Sequence, residues 1–446
     1  VHLAFGLINV LTQKTRKMST QKFATQALHA GHNVSENGGT RAVPIYQSTA
    51  YVFNSSDHAA NLFALAEPGN IYTRINNPTN DVLEQRLAAL EGGIAAVVTA
   101  SGTAAIATSL LTLLKAGDHI VASSSLYGGT YNLLSVTLPR HGITTTFVDP
   151  SNPENFKTAA QENTRAFFIE SLGNPKLDVL DIEAISKEAK AYKVPLIVDN
   201  TVATPYLLNP IAYGANIVIQ SLTKYINGNG TALGGAIIDA GTFDWASGKF
   251  PEFTEPSPGY HGLVYNDVIG AASFIAKVRI EGLRDYGAAL SPFNAFQIIQ
   301  GLETLELRIQ KHSQNALELA QWLQKQEDVE WVNYPGLDSS PYKVLADKYL
   351  PNGQSGIVTF GVKGGFEAAK TIADTTKLFS LLANIGDTKS LIIHPASTTH
   401  QQLDDAAQES TGVTKDLIRL SVGLENVDDL KSDLTEAFKV VKTVFA

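Results

Sequence analysis

Cysteine is absent from all 446 residues. That excludes disulfides, thiolate metal sites and cysteine nucleophiles, and it fits a reducing cytoplasm. Methionine occurs once, at Met18. No apolar run reaches the ~18 residues that span a bilayer. The segment Ser109–Leu114 is short and leads straight into Lys115-Ala116-Gly117-Asp118. Basic residues number 34 against 43 acidic ones, a formal net charge of −9. A surface of that sign repels phosphate backbones, which argues against a nucleic-acid partner but leaves room for a small anion in a local basic pocket. No G-x-x-x-x-G-K-[ST] run exists, and Gly228-Asn229-Gly230-Thr231-Ala232-Leu233-Gly234 misses G-x-G-x-x-G. A P-loop ATPase is therefore out, and a dinucleotide-dependent dehydrogenase loses its main support.

The chain is long enough for two or three domains. Residues 1–17 hold Lys14, Arg16 and Lys17 without a signal-peptide cleavage pattern and read as an added leader or a misplaced start. Residues 18–78 are loop-rich and read as an extended arm. Residues 79–290 alternate short apolar runs with helical patterns. Strands are predicted at Ala95–Thr99, His119–Ala122, Thr144–Val148, Ala166–Glu170, Pro195–Asp199, Ile217–Gln220 and Ala236–Asp239. Most lack clean alternation, as strands buried on both faces do. Helices are predicted between them, including Ala104–Leu114 and Ile182–Tyr192. The reading is an α/β fold: a mostly parallel seven-stranded sheet between helices. Residues 291–446 form a smaller α+β domain. One long helical stretch at Asn294–Lys325 opens it, strand-like runs follow at Gly356–Val362 and Leu391–His394, and a helix at Val427–Val444 closes it.

Ligands bind such sheets at the C-terminal ends of the strands, and the chemically loaded residues fall there. Ser101-Gly102-Thr103 lies between a strand and a helix start, where free N–H groups and a glycine suit a phosphate. Asp199 ends a buried strand and needs a cationic partner. Ser221-Leu222-Thr223-Lys224 places two hydroxyls just before a lysine. Tyr127-Gly128-Gly129-Thr130 sets an aromatic ring beside flexible backbone, and Asn174-Pro175 follows another strand. A lysine to form an imine, an acid for a ring nitrogen and a phosphate cradle are what pyridoxal 5′-phosphate (PLP) requires of a protein. Taken singly, a strand-end Asp, a helix-capping Ser or a core Tyr each has an ordinary structural explanation. Their order is what carries weight. His29 and His32, with no cysteine and only scattered histidines around them, read as surface residues, so no metal is expected.

That order resembles the Cys/Met-metabolism PLP enzymes, the cystathionine γ-synthase family. The resemblance rests on Tyr72, Arg74 and Asn77-Pro78-Thr79; Ser101-Gly102; Tyr127-Gly128; Asn174-Pro175; Asp199-Asn200-Thr201; Ser221-x-Thr223-Lys224; and Arg419-x-Ser421-x-Gly423. It implies an aspartate-aminotransferase-like, fold type I enzyme with PLP on Lys224 as a Schiff base. It further implies that Ser101, Gly102, Thr103, Ser221 and Thr223 surround the phosphate, Tyr127 holds the ring and Asn174 meets its 3′ oxygen. Tyr72 and Arg74 would reach the site of a neighbouring subunit in a homotetramer, and Arg419 would clamp the substrate carboxylate. Asn384 in Ala383-Asn384-Ile385-Gly386-Asp387, the insertion Lys249–Tyr265 and the glycine at Gly129 resemble the O-acetylhomoserine sulfhydrylase branch. The implied reaction joins an amino-acid substrate, O-acetyl-L-homoserine, to sulfide. The γ-lyase, cystathionine-synthase and O-succinyl variants stay open, as does a non-catalytic PLP-binding role.

Overall fold

The structure, a computed structural model, describes residues 21–260, 262–399, 401, 408 and 411–444. Residues 1–17, expected to be a leader, Met18 and His261 of the insertion lie outside them.

Seven strands form the large sheet: β1 (Ala95–Thr99), β2 (His119–Ser123), β3 (Thr144–Val148), β4 (Thr164–Glu170), β5 (Leu196–Asp199), β6 (Ile217–Ser221) and β7 (Gly235–Asp239). Their order is β1-β7-β6-β5-β4-β2-β3, with only β7 antiparallel to its neighbours. All seven expected strands are present, with ends displaced by at most two residues. The central ones are buried on both faces. Val198 and Val218 belong to one apolar cluster and Ile197, Ile217 and Ile219 to the other, which explains their lack of alternation. Helices Gly102–Leu113 and Ile182–Ala191 lie where the sequence places them.

A second sheet contains β8 (Val329–Asn333), β9 (Ile357–Val362), β10 (Ser380–Leu381), β11 (Leu391–Ile393) and β12 (Leu417–Ser421). Its order is β10-β11-β12-β9-β8, antiparallel except for β10 with β11. Val358, Phe360, Ile418 and Leu420 pack against Leu430 and Leu434 of the closing helix Val427–Val444.

Two expectations need correction. The stretch Asn294–Lys325 is two helices, Pro292–Glu303 and Leu305–Leu323, parted at Thr304. Arg308 Nη2 donates to the Gly301 carbonyl at 2.7 Å, occupying the acceptor that the next helical N–H would use. The arm carries two short helices, Phe23–His29 and Ser56–Phe63, and a single 3-10 turn at Val34–Asn37. Ser55 starts the second by accepting the His58 N–H at 3.0 Å, and Leu62 buries its apolar side.

Ile219 lies in the middle of β6, two residues before Ser221, and is fully buried. Ile219→Ala is expected to destabilise the fold by about 2–5 kcal/mol. A lower midpoint of urea unfolding checks this.

Candidate active site

β4, β5 and β6 run in parallel, so their last residues reach one edge of the sheet together. Glu170 and Asp199 sit side by side in register, and Asp199 pairs with Ile219 two residues before Ser221. β1 points the same way and delivers Ser101 to this edge. Its Oγ caps the helix Gly102–Leu113 by accepting the Ala104 N–H at 3.1 Å. Gly102 then approaches Ser221 so closely that a Cβ would lie 2.6 Å from the Ser221 Cβ. Only glycine permits that contact, which sets a helix start with its unpaired N–H groups beside the β6 turn. Thr103 is exposed on the first helical turn. Thr223 is more committed than its spacing suggests. Its hydroxyl donates to the Gly234 carbonyl at 3.2 Å and accepts the Gly234 N–H at 3.1 Å, tying the lysine turn to β7.

Asp199 Oδ1 accepts from the Thr201 N–H at 3.0 Å and from the Thr201 hydroxyl at 2.5 Å. The same hydroxyl oxygen accepts the Ser221 N–H at 2.8 Å, so one threonine links the acid to the lysine turn. Burial pushes the Asp199 carboxyl up to about 6, against the pull of the Thr201 bonds. Glu170 Oε1 accepts the Tyr127 N–H at 2.6 Å. Burial, and then the neighbouring Asp199 charge, raise the Glu170 carboxyl well above the ordinary range. Two adjacent carboxyl groups out of water cannot both ionise cheaply, so Glu170 keeps its proton and Asp199 is the one that ionises. A cationic ring nitrogen beside Asp199 would complete its ionisation. Sequence reading missed Glu170, and named Thr201 only as part of the Asp199-Asn200-Thr201 motif without a role. The signal for Glu170 was available, since Phe167-Phe168-Ile169-Glu170 ends a buried strand in an acid just as Leu196-Ile197-Val198-Asp199 does.

Lys224 Nζ donates to the Asn384 side-chain oxygen at 2.5 Å. The Asn384 backbone carbonyl accepts from Arg419 Nη2 at 3.1 Å, and Arg419 Nη1 donates to Asn174 Oδ1 at 3.0 Å. Four sequence-predicted residues from four separate segments therefore form one connected group. Asn384 and Asn174 here bond to protein cations, which fixes Asn384 between lysine and arginine. Burial, then the Arg419 charge, lower the Lys224 amine to about 8. Burial lowers the Arg419 guanidinium to about 10, and its Nε is buried without a partner. Tyr127 is exposed over this region, and its ring is near enough to interact electrostatically with Arg419.

Tyr72 and Arg74 stand apart. Arg74 lies over the Tyr72 ring at 5.4 Å and donates to the Arg284 carbonyl. Tyr72 is 41% exposed. The insertion is largely structural: Phe250, Phe253 and Tyr265 pack with Trp245 and Phe274, and the Tyr260 hydroxyl donates to the Phe63 carbonyl at 2.9 Å. His32 Nε2 bonds to the Thr40 carbonyl at 3.1 Å.

These donors fit PLP. A buried amine of lowered basicity, a buried acid awaiting a cation, and a helix start pressed against a serine supply the three anchors the cofactor needs. The spare Nε of Arg419 adds a donor for an anionic substrate group. An O-acetyl-L-homoserine sulfhydrylase of Leptospira meyeri is 58% identical over 424 residues, covering 93% of this chain and 96% of the relative. O-acetyl-L-homoserine sulfhydrylase 1 of Thermus thermophilus is 52% identical over 418 residues, covering 93% and 99%. A crystal structure from Campylobacter jejuni, solved with N′-pyridoxyl-lysine-5′-monophosphate, superposes with a TM-score of 0.91 at 46% identity, covering 94% of this chain and 100% of that one. Residues 24–439 match a single family, so the chain belongs to the Cys/Met metabolism PLP-dependent enzymes.

Proposed function

We propose that the protein catalyses γ-replacement: O-acetyl-L-homoserine and sulfide give L-homocysteine and acetate. The observation that carries the reading is the Lys224–Asn384–Arg419 group, which sets a basic amine beside a buried carboxylate receptor. The sulfhydrylases of Leptospira and Thermus, alike over nearly the whole chain, support the same reaction.

When bound, PLP supplies an electron sink for charge developing at the substrate Cα and Cβ. The chain's residues do the rest. Arg419 takes the substrate carboxylate, a planar two-pronged match worth about 1.5–3 kcal/mol per charged hydrogen bond. Lys224 binds the cofactor at rest. Once free of it, the Nζ accepts the Cα proton and moves protons between Cα and Cβ. The Asn384 oxygen keeps that amine pointed at the substrate side. At Cγ the C–O bond to acetate breaks and a C–S bond to sulfide forms. Tyr127 would cover the ring and assist departure of acetate. Asp199, oriented by Thr201, would hold the ring nitrogen's proton. Ser101, Gly102, Thr103, Ser221 and Thr223 would hold the phosphate, with the Thr223 proton directed to Gly234. Asn174, bonded to Arg419, would also meet the cofactor oxygen.

Tyr72 and Arg74 act in a neighbouring subunit's site, within a homotetramer of two such dimers. The exposure of Tyr72, and the bonding of Arg74 to the Arg284 carbonyl and over the Tyr72 ring, support this. The chain divides into an arm (18–78), a cofactor domain (79–290) and a small domain (291–446). The working compartment is the cytoplasm. Among the described residues no helix is long and apolar enough to cross a membrane.

Incubating the PLP-loaded protein with O-acetylhomoserine, with and without sulfide, is expected to give homocysteine only with sulfide and little 2-oxobutanoate. Oxoacid and ammonia regardless of sulfide would identify a γ-lyase. A second expectation follows from Lys224. Its amine must be neutral to attack an aldehyde, and it is neutral above about pH 8. The rate at which cofactor-free protein recovers its visible absorption with added PLP should climb with pH to about 8 and level off above it. A rate still climbing near pH 10 would mean that the attacking lysine is an ordinary one.

A further inference from the structure

The helix Leu305–Leu323 buries three polar side chains on one face, Arg308, His312 and Asn315, at helical spacing. None of the three is needed by the chemistry above, and all three bond to main-chain carbonyls of functional loops. Arg308 Nη1 donates to the Tyr225 carbonyl at 2.6 Å and Nη2 to the Ile226 carbonyl at 3.1 Å. Those are the two residues directly after Lys224. The fit is close: a Cβ on Gly228 would lie 2.2 Å from Arg308 Nη1. At the other end, Asn315 Nδ2 donates to the Gly423 carbonyl at 3.0 Å and the Glu425 carbonyl at 2.9 Å. These follow Arg419 at the end of β12. His312 lies between. Its Nδ1 bonds to the Val422 carbonyl at 2.6 Å, and its ring meets the Tyr225 ring edge-on at 5.2 Å.

Simple packing of a helix between two domains would be met more cheaply by apolar side chains. A guanidinium out of water with only carbonyls and a hydroxyl around it is costly. Burial lowers it to about 10, and among the described residues no carboxylate pairs with it. The pattern of donors is also asymmetric. Of the two functional loops, Arg308 bonds to the one after Lys224, besides Gly301 and Thr304 at the helix junction, and Asn315 bonds to the one after Arg419.

We infer that Arg308, His312 and Asn315 form a strut that sets the separation between the Lys224 amine and the Arg419 guanidinium, and so the register of an amino-acid substrate against the cofactor. They are positioning residues. The inference rests on the reading of Lys224 as cofactor lysine and Arg419 as carboxylate receptor. A helical segment bonded to both loops, at Arg308 and two turns later at Asn315, transmits small displacements, and a displacement of about 1 Å at a reacting centre can cost up to ~100-fold.

The test uses the PLP-loaded full chain and L-norvaline, which has the substrate's amine and carboxylate but no leaving group at Cγ. Norvaline affinity is read from the change in visible cofactor absorption. The resting absorption, the rate of cofactor loss on dilution and the thermal midpoint are read alongside. Asn315→Ala is expected to weaken norvaline roughly tenfold with the resting absorption and cofactor retention unchanged. Asn315→Leu keeps the branched shape without the donors and should do the same, which preserves the test if the alanine form folds poorly. Arg308→Lys keeps the charge but loses the fork. It should speed cofactor loss roughly tenfold. Wild-type norvaline affinity in a folded Asn315 variant would overturn the inference. So would identical changes in every readout for the Asn315 and Arg308 variants, because a merely structural helix would produce those. Arg419→Lys serves as the control. If it leaves norvaline binding intact, the carboxylate reading itself has failed. If it abolishes binding while the Asn315 variants bind normally, only the strut has failed.

Discussion

Two cationic groups, Lys224 and Arg419, are withdrawn from water at the same place, close enough for the charge of one to lower the basicity of the other. Neither is neutralised by a carboxylate among the described residues; asparagines receive their protons instead. Crowding like charges in a poorly solvated site is unfavourable, and the system relieves it in the two ways that PLP chemistry on an amino acid requires. The lysine gives up its proton at about pH 8, well below an ordinary amine, and becomes a nucleophile. The arginine remains charged and takes a carboxylate from outside. Opposite them the sheet edge poses the mirror-image problem with Glu170 and Asp199, where one group keeps its proton and the other awaits a cation.

The fold exists largely to hold these two unfavourable pairs in place. Parallel strands bring Glu170, Asp199 and Ser221 to a common edge with no loop flexibility between them. Thr201 ties the acid to the lysine turn, and Thr223 ties that turn to β7. The arginine side arrives on another sheet, on β12, and Asn384 joins the two sheets by bonding to both cations. Substrate specificity and cofactor chemistry thus sit on different structural bodies, and the contacts between those bodies matter as much as the residues that touch the ligand.

The large sheet was legible in the sequence because strands buried on both faces leave unbroken Val, Ile and Phe runs, as in Leu196–Val198 and Phe167–Ile169. The residues at their ends were legible because the family resemblance and the strand-end rule named the same positions. What escaped were features decided across long stretches of chain. The break at Thr304 is only partly local: the Thr304 N–H and hydroxyl bond to the Gly301 carbonyl, and Arg308, anchored on Tyr225 83 residues earlier in the chain, donates to the same oxygen. The bond between Lys224 and Asn384 spans 160 residues. Asn384 was read as a substrate contact, whereas its side-chain oxygen is taken up by the lysine. Glu170 escaped for a different reason: it belongs to no quoted motif, although the argument that singled out Asp199 applies to it unchanged.

The proposal stands on Lys224 as the residue that carries the cofactor. Reducing the PLP-loaded protein with borohydride would freeze the link, and peptide mass mapping would locate it. The pyridoxyl mass is expected on the peptide containing Lys224, in stoichiometric yield. The same mass on any other lysine, with Lys224 unmodified, would contradict the assignment and with it the roles given to Asn384 and Arg419.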